Sequence, residues 1–185
     1  AGVVWAYQND ADVINMSWGG SGFSQTGQNI ITNAYNAGCV NVAAAGNDNV
    51  TTIFYPAGYN NIISVASSTT NDAKSSFSNY GNWIDITAPG SSIRSTYIGN
   101  GFSPTYASIQ GTSMASPLVA GLCGLIKSVN PQMTQTQIEN CLLSTADNIN
   151  SVNGNYIGQL GAGRINAYQA VLCAQSTLNA PPVAV

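Results

Sequence analysis

Histidine is missing from this sequence altogether, and charge is scarce: 6% of its 185 residues are charged, only four residues are basic, and the net charge is −3. The first absence removes the usual general base for a serine nucleophile and the commonest nitrogen ligand for zinc. The second removes the means of neutralising a phosphate backbone, so nucleic acid is not expected as a partner. Long hydrophobic runs are lacking as well. The longest strongly apolar stretch, Leu118 to Ile126, is far too short to cross a bilayer, and no membrane partner is expected. No basic start ahead of an apolar run marks a leader peptide, and there is no internal repeat or low-complexity tract. The four cysteines, Cys39, Cys123, Cys141 and Cys173, show no metal-ligand spacing, which leaves either buried thiols or up to two disulfides with three complete pairings.

What the chain does contain is 44% hydrophobic residues, enough for one globular core, and a polar surface built from Ser, Thr, Asn, Gln and 19 glycines. That neutral polarity suits an extracellular protein better than a cytosolic one. Asp12–Ser17, Val40–Ala45 and Ile62–Ala66 are short apolar segments bounded by Gly, Asn or Ser, with Trp83–Thr87 as a fourth. They are expected to be buried strands of a parallel sheet covered on both faces. Between the first two, Ile30, Ile31, Ala34 and Tyr35 define one face of a helix that stops at Gly38. The fold class expected is α/β, a three-layer sandwich with a mostly parallel sheet. Beyond Pro89-Gly90, a hairpin over Ile93–Tyr97 and Tyr106–Ile109 turns at Gly99-Asn100-Gly101. Helices follow over about 112–129, 134–146 and 166–174. Ala1–Tyr7 reads as the middle of a helix without an N-cap, as if cut from something longer; the tail from Asn179 to Val185 reads as the start of a linker.

The chemistry concentrates in Gly111-Thr112-Ser113-Met114-Ala115-Ser116-Pro117. Small residues permit a sharp turn, Ser113 brings a hydroxyl, and the helix start places unpaired N–H groups and the positive dipole end beside it. Pro117 is expected within the first turn or so, where its missing N–H costs little. Taken alone, such a run is more often an N-cap than a nucleophile.

Extended to Gly121, the run closely resembles the nucleophile motif of the subtilisin-like serine proteases, the subtilases. Two more blocks resemble the family in the same order: Asp12–Gly20, like one wall of the primary specificity pocket, and Ala43-Ala44-Ala45-Gly46-Asn47, like the other. Tyr55-Pro56-Ala57 and Thr87-Ala88-Pro89-Gly90 match lesser landmarks. The resemblance implies that Ser113 attacks a scissile peptide carbonyl and forms an acyl-enzyme. It implies that Asn47 donates to the oxyanion beside the Ser113 backbone N–H. Ser17, Trp18 and Gly19 would pair with substrate backbone as an added strand, and Ala44, Ala45 and Gly46 would line the opposite wall. A secreted endopeptidase follows, acting on peptide or protein substrates and needing no cofactor for chemistry.

The departures are equally specific. Leu118 stands where the family usually has histidine, a position outside the triad. Phe54 replaces a common glycine near the pocket floor and implies a shallow pocket for small or medium side chains. Asp85, with the carbonyls of Ala57 and Tyr59, resembles a weak structural calcium site, yet one carboxylate is few for an ion that takes six to eight oxygens. Subtilases run Asp, then His, then Ser along the chain; here the Asp and His segments are missing. Residues 1–176 are therefore expected to be the C-terminal part of a peptidase domain, with 177–185 as linker. Its partner would be the missing N-terminal part of the same domain. Its sheet would lack early strands, and the chain alone would be inactive. The alternative is a peptide-binding pseudoenzyme module without chemistry. An esterase with a Gly-x-Ser-x-Gly elbow does not match these blocks.

Overall fold

Four buried apolar segments pair side by side as one parallel sheet in the order β1-β2-β3-β4: β1 Val13–Met16, β2 Val40–Ala44, β3 Ile63–Ser68 and β4 Ile86–Pro89. The computed structural model describes residues 1–99 and 104–178. The hairpin tip at Asn100-Gly101 and the tail from Asn179 lie outside the described residues.

Alternation along the strands sorts the two faces of the sheet. Val40 and Val42, Ile63 and Val65, Ile86 and Ala88 point to one side, where they form the largest core with three helices. These are α3 (Thr112–Val129), α4 (Gln135–Ser144) and α5 (Ala167–Leu178). On the other side, Ile14, Met16 and Ala43 pack against Ile31 and Ala34 of α2 (Gln25–Asn36), with α1 (Gly2–Gln8) beyond it. Helices thus cover both faces, giving the three layers expected of a buried parallel sheet. The antiparallel hairpin β5 (Ile93–Ile98) and β6 (Pro104–Ile109) stands apart from the main sheet.

Several boundaries differ from expectation. The fourth strand begins at Ile86 rather than Trp83, because Trp83 and Ile84 lie in a turn closed by a bond from Ile84 N–H to the Gly81 carbonyl. The third strand runs on to Ser68; its polar end is buried and bonded, Ser67 N–H donating to Ser78 Oγ at 2.9 Å. α5 extends to Leu178, past the expected domain end at residue 176. Pro117 is the sixth residue of α3, beyond the first turn. Its absent N–H would have bonded the Ser113 carbonyl four residues back; instead that carbonyl accepts from Ser17 Oγ at 3.0 Å.

α3 buries Thr112, Ala115, Ser116, Val119, Leu122, Cys123 and Ile126, one continuous helical stripe. At 18 residues it is long and apolar enough to meet the length and composition of a membrane span, unlike the shorter run noted in the sequence. Here it packs against all four strands, α4 and α5. Its other face exposes Leu118 at 42% and Leu125 at 46%. Among the described residues, β1 has a paired neighbour only in β2, leaving its other edge open.

Candidate active site

The ends of β1 and β2 and the start of α3 meet around one cavity of about 210 Å³. Ser113, Asn47, Ser17, Trp18, Gly19, Ala44 and Gly46 all line it, so these residues from three separate blocks of sequence converge. Ala45 does not. It follows Ala44 on the strand and so faces the other way, fully buried with Ala66, Ile84 and Leu160, and the expectation that it lines the wall is corrected by that alternation.

Ser113 is the second residue of α3, whose N-cap is Gly111 and carries no capping side chain. The cap comes from a distant strand end instead. Asn47 Oδ1 accepts from Thr112 N–H at 2.8 Å and from Thr112 Oγ1 at 3.0 Å. Thr112 Oγ1 in turn accepts from Gly46 N–H at 3.1 Å. With its carbonyl oxygen committed in this way, the Asn47 side chain is oriented and its amide NH₂ is the group left for other partners.

That NH₂ lies beside the Ser113 amide. A Cβ built on Gly111, at φ +153°, would sit 3.6 Å from both Asn47 Nδ2 and Ser113 N. The two donors therefore converge on one point beside Gly111, with Met114 Sδ 3.7 Å from it. Ser113 N–H belongs to the first turn of α3, where no helical carbonyl is available to it. The Ser113 hydroxyl is half-buried and donates to the Ser17 carbonyl at 3.2 Å.

Ser17 is set by a polar chain running between β1 and α3. Ser116 Oγ donates to Asn15 Oδ1 at 2.5 Å, Asn15 Nδ2 donates to Ser17 Oγ at 2.9 Å, and Ser17 Oγ donates to the Ser113 carbonyl freed by Pro117. Neither Asn15 nor Ser116 was singled out from the sequence, although both lie inside the recognised blocks. Trp18 stands 61% exposed at the rim. Beyond it, Trp18 and Gly19 also line a second cavity of about 810 Å³, between Ile14, Met16, Ile30 and Tyr55.

The two free thiols are inert. Burial, then the negative charge of Glu139, pushes Cys123 up to about 12; burial and Asp12 raise Cys39 as well. Cys141 and Cys173 are joined in a disulfide, which resolves the alternatives open in the sequence. Asp85, Ala57 and Tyr59 do line one cavity of about 350 Å³, with Glu139. Asp85 Oδ2 there accepts from Ser64 N–H and Oγ, each at 2.7 Å, and burial raises both carboxyls. No group of three or more acidic, His or Cys side chains gathers among the described residues.

Comparison with known proteins places this geometry among relatives. A model described as the subtilase family matches residues 1–163. Thermitase of Thermoactinomyces vulgaris is 46% identical over 170 residues, which is 92% of this chain and 57% of thermitase. Subtilisin Savinase of Lederbergia lenta is 41% identical over 169 residues, 91% of this chain and 60% of that protein. A solved protease structure from Pseudoalteromonas arctica PAMC 21717 superimposes with a TM-score of 0.85 at 38% identity, covering 94% of this chain and 57% of that one. The chain spans less than two thirds of the length of each.

Proposed function

The chain belongs to the subtilase family, and from that premise we propose that it carries the nucleophile, oxyanion donors and substrate edge of a serine endopeptidase. Ser113 attacks the scissile carbonyl and forms the acyl-enzyme. The negative charge that develops on the carbonyl oxygen is met by Asn47 Nδ2 and the Ser113 backbone N–H. Donors already aimed at that position cost no reorganisation during reaction. The observation that carries this reading is the pairing of those two nitrogens around the point beside Gly111. Half-buried Ser17 and exposed Trp18 and Gly19 follow β1 directly and offer backbone along which a peptide substrate adds as a strand.

With no histidine in 185 residues, the histidine base that takes the Ser113 proton on this reading lies outside this sequence. The reading therefore assigns residues 1–176 to the later part of a peptidase domain, with the Asp and His contributed by its earlier part. The tail from 177 would then lead out of the domain. The 185-residue chain alone is inactive on this account. The neutral, sparsely charged composition and the Cys141–Cys173 disulfide support secretion into an oxidising compartment. The chemistry uses no cofactor, and a structural calcium on Asp85, Ala57 and Tyr59 forms no part of the proposal.

Labelling with a fluorophosphonate tests the reading. The full-length protein is expected to label at Ser113, and Ser113→Ala to remove the label. Asn47→Ala is expected to lower kcat about 10²- to 10³-fold, the loss known for removing this donor from subtilisin itself. An unlabelled full-length protein that still binds peptide would instead establish the pseudoenzyme module.

A further inference from the structure

Asn47 is held from two sides. Thr112 grips its side chain from α3. On the far side lies Asn79, 1% exposed and not part of the cavity wall. Asn79 spends its amide and its backbone N–H on the loop that carries Asn47. Its backbone N–H donates to the Gly46 carbonyl at 3.0 Å and its Nδ2 to the Ala45 carbonyl at 2.9 Å. Its Oδ1 accepts from Asp48 N–H at 2.9 Å and Val50 N–H at 3.3 Å. The residues immediately before and after Asn47 are thus both bonded to this one side chain and its backbone.

The loop does not hold itself. Gly46 at φ +100° and Asn49 at φ +55° are both left-handed, and the N–H groups of Asp48 and Val50 belong to no strand or helix. Asn79 also approaches so closely that a Cβ on Gly46 would lie 2.4 Å from its Nδ2. Its own segment is anchored by Lys74, whose ammonium donates to the carbonyls of Ser75 and Ser78 at 3.0 Å and to Asn49 Oδ1 at 2.7 Å. That ammonium also stands over the rings of Tyr80 and Tyr156, 4.9 and 5.0 Å from their centres.

We infer that the Asn79 side chain is a positioning group for the oxyanion site: through the Ala45 carbonyl and the Asp48 and Val50 N–H groups it sets where the Asn47 amide points. The inference rests on the reading of Asn47 as an oxyanion donor. Such a donor acts at 2.7–3.1 Å from the developing charge. A loosened loop therefore weakens the transition state more than the bound substrate, and kcat falls while KM holds.

The experiment measures kcat and KM on a peptide p-nitroanilide for the full-length protein, Asn79→Ala, Asn47→Ala and the double variant. Asn79→Ala is expected to lose about 10- to 100-fold in kcat, the scale of a small misplacement of catalytic groups, with KM moving less than about 2-fold. In the Asn47→Ala background, the Asn79 substitution is expected to cost less than about 2-fold more, because both act through one donor. Asn79→Ser supplies a hydroxyl able to donate or accept within the same loop and is expected to lose less; it decides the matter if Asn79→Ala does not fold. Unchanged kcat in the folded variant overturns the inference, as does a loss equally large with and without Asn47, which marks a general structural role. If Asn47→Ala itself leaves kcat unchanged, the oxyanion reading falls first and the inference with it.

Discussion

The ring of Phe54 fills space between the two walls of the cavity: a Cβ on Gly19 would meet it at 2.4 Å and one on Gly46 at 3.1 Å. Phe54 lines this cavity of about 210 Å³, and on the proposed reading a substrate side chain entering between the walls would meet the ring early. Replacing it, Phe54→Gly, should deepen the pocket. The ratio of kcat/KM for a substrate with a large aromatic side chain over one with alanine is expected to rise at least about 10-fold, within the range that apolar pocket contacts discriminate. An unchanged ratio in a peptide-substrate panel would show that Phe54 does not form the floor. Single residues were legible in the sequence where a motif carried them. Ser113 and Asn47 stand in such motifs and Phe54 departs from one, and all three line the same cavity. Ala45 was misassigned because a motif block is contiguous whereas a strand alternates its faces. Asn79 left no signal at all. It stands 32 residues from Asn47 along the chain, and its importance lies in hydrogen bonds that only the folded loop creates.

At the scale of elements, α4 and α5 are tied by the Cys141–Cys173 disulfide across a sequence separation of 32. Part of the enclosed segment runs beside β4, with Thr87 N–H donating to the Gly163 carbonyl at 2.8 Å and Ile165 N–H to the Thr87 carbonyl at 3.0 Å. Leu160 takes the Thr87 hydroxyl at 2.9 Å, and Arg164 and Asp147 pair at 2.6 Å. Closing a loop of this length removes chain entropy from the unfolded state, with a stabilisation of about 3–4 kcal/mol. The double variant Cys141→Ser, Cys173→Ser of the full-length protein is expected to lose that much in denaturant unfolding; a loss below about 1 kcal/mol would mean that the bridge adds strain or that the unfolded loop is already compact. The elements themselves were mostly legible, because the 3.6-residue stripe of α3 and the apolar runs of β1 to β3 are strong periodic signals. The fourth strand was not. Trp83-Ile84-Asp85 has the look of a strand, but Trp83 Nε1 is drawn to the Thr51 carbonyl at 2.9 Å and the segment turns. Ala88 and Pro89 look like a loop yet pair with Ser67 and Ser68. Proline is tolerated there because its nitrogen faces away from β3, to which the next residue, Gly90, donates at the Ser68 carbonyl.

For the molecule as a whole, the two features that mark the site also carry its open edge and exposed apolar surface among the described residues. β1 delivers Ser17 to the cavity and is an open edge, while α3 delivers Ser113 and turns Leu118 and Leu125 outward. α1 adds Trp5, 68% exposed. An unpaired strand edge beside apolar helical surface is a template for association, and a net charge of −3 gives little repulsion to oppose it. The 185-residue chain purified alone is therefore expected to self-associate, eluting well above its 19.1 kDa mass, and to bind a hydrophobic dye such as ANS. Leu118→Lys with Leu125→Lys should shift that chain toward monomer by charging the α3 face. Supplying the earlier part of the domain by co-expression should abolish both association and dye binding, because it would pair the β1 edge and cover α3. A chain that stays monomeric and dark to the dye on its own would show that these surfaces need no cover. The assignment of this sequence to part of a larger domain would then lose its physical basis.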